Sequence, residues 1–260
     1  MSESHKAQVQ AQFGASAHDY YVTSAGHAGG ADLDQLVAWG RKRGAPRVLD
    51  VATGGGHTAL AFSAFTSTVI STDLTPSMLA AARGFIQSKA ATGNVRFLAS
   101  DVEALPFRDS AYGVVTCRLA AHHFPAILPA LKEVARVLRP GGSLLVEDIL
   151  GHEDRELAAF ILEIEKRRDP SHVRALTHRE WEAFLKAAGM TVIDESTLTK
   201  SRPWEEWTAR MRMTPEAKAD LERFVLDAPT HCREAFGFTI EGGRILTFSD
   251  RLILIRADRD

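Results

Sequence analysis

Residues 48–60 read VLDVATGGGHTAL. An apolar run carries an aspartate, breaks on three consecutive glycines and resumes as the opening of a helix. Glycine reaches backbone angles with positive φ and lets a ligand approach the main chain, and the helix N-terminus that follows offers unpaired N–H groups. Strand, glycine loop and helix in that order point to a sheet whose strands alternate with helices and whose ligand lies on the loop.

The alternation continues. Short runs rich in Val, Ile and Leu at 46–52, 67–72, 95–100, 112–119 and 143–150 read as strands covered on both faces. Thr75-Pro76 opens the helix after the second, and Pro140-Gly141-Gly142 stops the helix before the fifth. Leu157, Phe160, Ile161 and Ile164 recur at helical spacing, and Thr177 with Glu180 forms a capping box. Two last strands, 191–199 and 251–257, flank a mostly helical insertion. The pattern predicts an α/β fold: a doubly wound, Rossmann-like, seven-stranded, mostly parallel sheet with helices on both faces. A length of 260 residues suits a single domain. Within it, 1–40 is expected to be an N-terminal helical lid, 41–150 the cofactor-binding core, and 151–260 a C-terminal half with helical insertions on the substrate side.

A formal net charge of −2 gives no general attraction to nucleic acid or anionic lipid. No run is apolar enough for a signal peptide or a membrane span, so the cytoplasm is the expected compartment. Cys117 and Cys232 are far apart and read as idle thiols.

The glycines alone leave two cofactors open. Gly54-x-Gly56-x-x-Ala59 satisfies the dinucleotide fingerprint, with Asp73 near the distance of a ribose-binding acid. Asp50, four residues before Gly54, is awkward beside a diphosphate but suits the ammonium of S-adenosyl-L-methionine. Its alternative role is to hold the glycine loop. A hydride-transfer Tyr-x-x-x-Lys pair is missing after Tyr20, Tyr21 and Tyr112.

In order along the chain, VLDVATGGG, STDLTPSML, SDVEALPF and LKEVARVLRPGGSLLVED resemble the motifs of class I S-adenosylmethionine-dependent methyltransferases, most of all the ubiquinone/menaquinone-biosynthesis type. The resemblance covers residues 46–150. It implies S-adenosyl-L-methionine as cofactor, held by Asp50, Ala52 (where the family's first glycine often stands), Gly54 and Gly56. It further implies Asp73 on the ribose hydroxyls, Leu74 packing on the adenine, Asp101 accepting from the adenine amino group and the Val102 N–H facing the ring; Met78 is a further candidate cofactor contact, and Arg118 is read as shaping the cofactor or substrate cleft. By the same resemblance the last strand runs antiparallel, between the fifth and sixth.

Methyl transfer from a sulfonium is an in-line displacement, and the protein at most removes one proton. His122 and His123, after the fourth strand, are the candidate catalytic groups, because histidine titrates nearest neutrality. A structural histidine bonded to a loop carbonyl is the alternative for His123. Candidate substrate contacts are Tyr21 and His27 in the lid, and His172 and Arg174 on the loop after Pro170, although a solvated loop explains the last two as well. Trp204, Trp207, Met211 and Met213 line either an apolar wall or the core. No metal site is expected, since neighbouring histidines point apart. These features predict methyl transfer to an oxygen or carbon of an apolar or aromatic small molecule, by a protein compatible with homodimer formation. An NAD(P)-dependent oxidoreductase and a non-catalytic S-adenosylmethionine-binding module are the alternatives.

Overall fold

A computed structural model of the chain describes residues 2–16, 29–89 and 93–260. Two helices, α1 (Ser2–Ser16) and α2 (Ala31–Arg43), precede β1 (Arg47–Val51). Then α3 (His57–Ser63), β2 (Thr68–Asp73), α4 (Pro76–Lys89), β3 (Val95–Ala99) and β4 (Tyr112–Arg118) alternate. A 3-10 turn at Ala121–His123 leads to α5 (Ile127–Val137) and β5 (Leu138–Ile149). The C-terminal half adds α6 (Arg155–Arg168), α7 (His178–Ala187), β6 (Met190–Pro203), α8 (Trp204–Ala209), α9 (Pro215–Asp227), α10 (Thr230–Ala235), β7 (Thr239–Glu241) and β8 (Arg244–Arg259).

The sheet runs in the order β3-β2-β1-β4-β5-β8-β6, with β8 antiparallel to both neighbours, as the resemblance implied. An eighth strand, β7, pairs only with β8 and was not expected. Side chains alternate between faces because the strand period is two residues. Val48 therefore joins Trp39, Phe62 and Ile86 under α2, α3 and α4, while Leu49 and Val51 join Leu131, Val134, Trp181 and Leu185 under α5 and α7. The expected capping box of α7 is formed by Thr177 and Glu180.

Three departures bear on the site. Residues 31–40, assigned to the lid, belong to α2, whose Leu36 and Trp39 are buried against the sheet. Strand β5 starts at Leu138 and carries Pro140-Gly141-Gly142 through a register shift opposite Tyr112 and Val114. Strands β6 and β8 also outrun their expected bounds as a ribbon paired from Met190↔Arg259 to Pro203↔Thr247. A satellite core of Phe160, Ile164, Trp204, Trp207, Leu221 and Phe248 packs α6, α8 and α9 around that extension.

Candidate active site

Strand order reverses between β1 and β4, and ligands of open α/β sheets bind beyond the strand ends at such a point. A cavity opens there. One end is lined by Ala52, Thr53, Gly54, Asp73, Leu74, Met78, Asp101 and Val102, the other by His122, His123, Glu165, Arg168, Asp169, His172, Arg202 and Arg210. The first end comes from the tips of β1, β2 and β3, the second from the turn after β4 together with α6, α8 and the ribbon.

At the first end the glycine loop turns through left-handed angles at Ala52, Gly54 and Gly56, with φ of 49°, 52° and 84°. A Cβ on Gly56 would come within 3.0 Å of both Ala82 and Ile86 on α4, so glycine is needed there for packing as well as for φ. Asp73 holds the loop in place: Oδ2 accepts from Gly54 N–H at 3.0 Å and Oδ1 from Thr75 N–H at 2.8 Å. Burial pushes its pKa up, against those two bonds.

Asp50 lies beneath the loop, not among the cavity-lining residues, and so corrects the expectation that its carboxylate faces a ligand ammonium. It is 1% exposed, and its oxygens accept from the Thr116 and Thr53 hydroxyls at 2.5 Å each. Thr53 Oγ1 is in turn 2.9 Å from Ser71 Oγ. The carboxylate thus ties β1 to β4 and the loop, the alternative role read from the sequence. Burial raises its pKa to about 6, with the two hydroxyls pulling the other way.

Helix α1 covers this end. Lys6 Nζ bonds Asp101 at 2.7 Å and Glu103 at 2.5 Å, and Gln10 Nε2 donates to the Leu74 carbonyl at 2.9 Å. The other Asp101 oxygen accepts from Glu103 N–H at 2.9 Å, so an adenine amino group would have to share Asp101 with Lys6. Tyr21 and His27, the lid candidates, lie outside the described residues.

Arg118 stands at the tip of β4 between the two ends. Its guanidinium donates to Asp32 and to Glu147, each at 2.6 Å, and Lys200 Nζ adds a contact to Asp32 at 3.2 Å. Burial works against an ionised Asp32, yet Arg118 holds it well below the ordinary carboxylate range. Glu147, more deeply enclosed, is pushed by burial up to about 7. Arg118 lines the cavity, and its bonds to Glu147 and Asp32 point into this ion network.

Three histidines meet at the second end. The 3-10 turn brings the His122 and His123 rings to 4.3 Å, so the adjacent histidines do not diverge as expected of a strand, and His172 stacks on His122 at 4.9 Å. Asp148 accepts from His122 N–H at 2.9 Å and lies 2.5 Å from its Nδ1. Although burial opposes it, Asp148 raises the His122 pKa and favours the imidazolium. Burial and then the charge of His122 lower His123 to about 4. His123 Nδ1 is 3.0 Å from the Ser171 carbonyl, which can only accept and so places the proton on Nδ1 and the lone pair on Nε2. Asp169 lies 3.8 Å from that Nε2, and the edge of Phe13 on α1 packs on the ring at 5.0 Å. His172 is 4% exposed, not part of a solvated loop. Arg174 is a correction: it bonds Glu180 at 2.8 Å, beside the α7 cap, and does not line this cavity.

The sequence reading missed Glu165, Arg168, Asp169, Arg202, Arg210 and Asp250. Arg168 donates to the Trp207 carbonyl at 2.9 Å, lies 4.2 Å over the Trp207 ring and meets Glu165 at 3.3 Å; Arg202 pairs with Asp250 at 2.6 Å. One signal was available: Leu157, Ile161, Ile164 and Arg168 share one stripe of α6, so Arg168 is a charge on an apolar face. Trp204 belongs to the satellite core, and Trp207 both to that core and to the cavity.

This arrangement fits an adenosyl cofactor: a close-approach glycine loop, a buried acid accepting from the Gly54 and Thr75 amides at the loop's edge, and apolar flanks at Leu74, Met78 and Val102. The methyltransferase domain family matches residues 49–146. A Bacillus subtilis relative named uncharacterized methyltransferase YcgJ is 35% identical over 228 residues, 87% of this chain and 90% of that one. The chain belongs to the S-adenosylmethionine-dependent methyltransferases. A crystal structure of a methyltransferase from Bacillus halodurans superposes with a TM-score of 0.85 at 38% identity, over 88% of this chain and 99% of that chain. The ubiquinone/menaquinone biosynthesis C-methyltransferase UbiE of Dinoroseobacter shibae is 39% identical over 115 residues, 44% of this chain and 46% of that enzyme. S-adenosyl-L-methionine is therefore the cofactor, and the nicotinamide reading falls. Among the described residues, no helix is long and apolar enough to cross a membrane.

Proposed function

We propose that this methyltransferase acts on an oxygen or carbon of a small molecule whose reacting end is polar, and that His123 is its general base. The observation that supports this reading is the neutral, Nδ1-protonated His123 set in a charged cavity directly beyond the glycine loop. Glu165, Arg168, Asp169, Arg202 and Arg210 line that end. Beside the apolar or aromatic small molecule expected from the sequence, they favour an acceptor that is polar where it reacts and flanked by Trp207 and Ile149.

The bound cofactor supplies an activated methyl group on sulfur. Asp73 holds the loop and offers its remaining lone pairs to the ribose; Asp101, Leu74, Met78 and Val102 hold the adenine. Helix α1 acts as the lid, with Phe13 over His123 and Lys6 over Asp101. His123 Nε2 takes the acceptor's proton, and Asp169 stabilises the imidazolium so formed. The His122–Asp148 pair acts through His123, because its positive charge keeps the neighbouring ring neutral until the acceptor needs a base.

Two experiments test the reading. Calorimetric titration is expected to show micromolar binding of S-adenosylhomocysteine and none of NAD(H) or NADP(H). With an acceptor found by screening phenols, quinols and carboxylates, His123→Ala should lower kcat by about 10²–10⁴-fold and leave cofactor affinity unchanged. A full kcat in His123→Ala removes the general base. Cofactor binding without transfer to any acceptor points to the non-catalytic binding module.

A further inference from the structure

Outside the cavity, the first turn of α6 meets α10. Glu156 Oε1 lies 3.3 Å from His231 Nε2, and Cys232 Sγ lies 3.4 Å from that nitrogen and 4.0 Å from Glu156 Oε1. Among the described residues, this is the one group of three Cys, His or acidic side chains whose ligand atoms all lie within 4.8 Å of one another. A tetrahedral zinc ion, with bonds of about 2.0 Å to N and O and about 2.3 Å to S, requires ligand-to-ligand edges of roughly 3.3–3.6 Å. Two of the three observed edges, 3.3 and 3.4 Å, fall in that range, and a rotation of the exposed Glu156 side chain would close the third, now 4.0 Å.

We propose that Glu156, His231 and Cys232 form a zinc site that clips α10 to the start of α6, with water as the fourth ligand. The donor set is one thiolate, one imidazole and one carboxylate, which suits zinc and excludes the hard cations magnesium and calcium. Cys232 is buried at 1% exposure with its sulfur directed at the other two groups, whereas Glu156 and His231 are exposed and admit an ion from solvent. Asp154, the N-cap of α6, adds a second negative charge facing His231 and Cys232. The neighbourhood is already docked, since His152 packs its ring on Phe236 at 6.1 Å, just past α10. Helix α6 carries Glu165 and Arg168 into the acceptor cavity at its far end, so a metal at its start braces the element that shapes that cavity. The site is independent of methyl transfer and stands or falls without it.

The test uses the 260-residue chain without a tag. Titration with Co²⁺ is expected to produce the near-ultraviolet absorption of a thiolate–cobalt bond and the intense visible bands of tetrahedral cobalt, both discharged by Zn²⁺. Cys232→Ser should abolish the thiolate band, His231→Gln should weaken Zn²⁺ binding by about tenfold or more, and Cys117→Ala, in the sheet core, should change neither. Zinc should also raise Tm in proportion to the logarithm of its concentration above Kd. Cobalt binding without a thiolate band overturns the proposal, as does a band that survives in Cys232→Ser. Should that variant not fold, an unchanged zinc affinity in His231→Gln, at an exposed position, overturns it alone.

Discussion

The two ends of the cavity are built by different means. At the proposed cofactor end the two buried carboxylates are held by the main chain or by neutral hydroxyls, Asp73 by the Gly54 and Thr75 amides and Asp50 by Thr53 and Thr116, and an ion pair, Lys6 with Asp101, enters only at the rim. At the acceptor end charges hold charges: His122 with Asp148, Arg168 with Glu165, Arg202 with Asp250. A cofactor shared by a whole family can be met by backbone geometry that a short motif encodes. An acceptor particular to one member is met by side chains recruited from distant elements, and such a site is easier to retune by single substitutions.

Arg118, at the joint between the ends, should show the largest effect. Replacing it by leucine leaves Asp32 with Lys200 alone and Glu147 with no counter-ion in a dry setting. Breaking a buried pair from one side costs about 3–5 kcal/mol, so Arg118→Leu is expected to lose that much in urea unfolding. Glu147→Gln should lose clearly less, because a carboxyl whose pKa sits at about 7 is already half neutral. Equal losses would show that Arg118 supports the structure through Glu147 and not through Asp32.

Much of the cofactor end was legible because its parts are local. Glycine at 54 and 56, the acid at 73 and the Pro76 helix start are residue types that their own backbone positions demand. The acceptor end joins His122 to His172, Arg168 to Trp207 and Arg202 to Asp250, contacts with no periodic signature that depend on how α6 and α8 pack on the ribbon. Strand β6 was read as ending near Thr199 because its outer residues are exposed and polar; its last turns carry Arg202 into the cavity. Of the two loop candidates after Pro170, His172 enters the cavity while Arg174 turns toward Glu180 and stays partly exposed, as the solvated-loop alternative had it.

One group from each end, His123 and Asp50, should answer pH with opposite signs. His123 has a folded pKa of about 4 against an ordinary 6.5, so the unfolded chain binds the proton first; its contribution is complete above 6.5 and is lost as pH falls toward 4. Asp50 has a folded pKa of about 6 against an ordinary 3.8, so the folded state binds the proton first; its contribution is complete below 3.8 and is lost as pH rises through 6. With one pH unit of difference equivalent to about 1.4 kcal/mol, each group swings stability by on the order of 2–3 kcal/mol across that window. Urea unfolding between pH 4 and 6.5 should therefore rise more steeply with pH in Asp50→Asn than in the wild type, and less steeply in His123→Gln. Parallel profiles in all three would remove both assignments.

A smaller effect separates the ends by ligand. Asp73→Asn keeps one accepting oxygen for the loop but loses the charge that strengthens a ribose hydrogen bond, so calorimetry should show S-adenosylhomocysteine binding about 10–100-fold more weakly. His122→Asn should leave that affinity within about threefold, a change of about 0.6 kcal/mol or less. A loss of cofactor affinity in both would join the two ends into one cooperative site.

The smallest effect tests the local nature of the cofactor end most directly. Ala52 is a non-glycine residue at φ 49°, where an L side chain crowds its own carbonyl at a cost of about 1–2 kcal/mol. Glycine removes that crowding but gives the unfolded chain extra freedom, which returns about 0.4–1 kcal/mol. The balance predicts that Ala52→Gly raises stability by roughly 0.5–1 kcal/mol, read as a small rise in Tm. The Ala52 methyl also lines the cavity and packs against the core beside Val51, so the substitution exchanges a fixed contact for a looser loop. If strain dominates, Tm rises and S-adenosylhomocysteine affinity holds or improves; if the methyl is what keeps the loop in its binding shape, affinity falls while Tm still rises. The second outcome would mean that alanine is kept at this position, despite its strain, because a rigid loop binds better than a relaxed one.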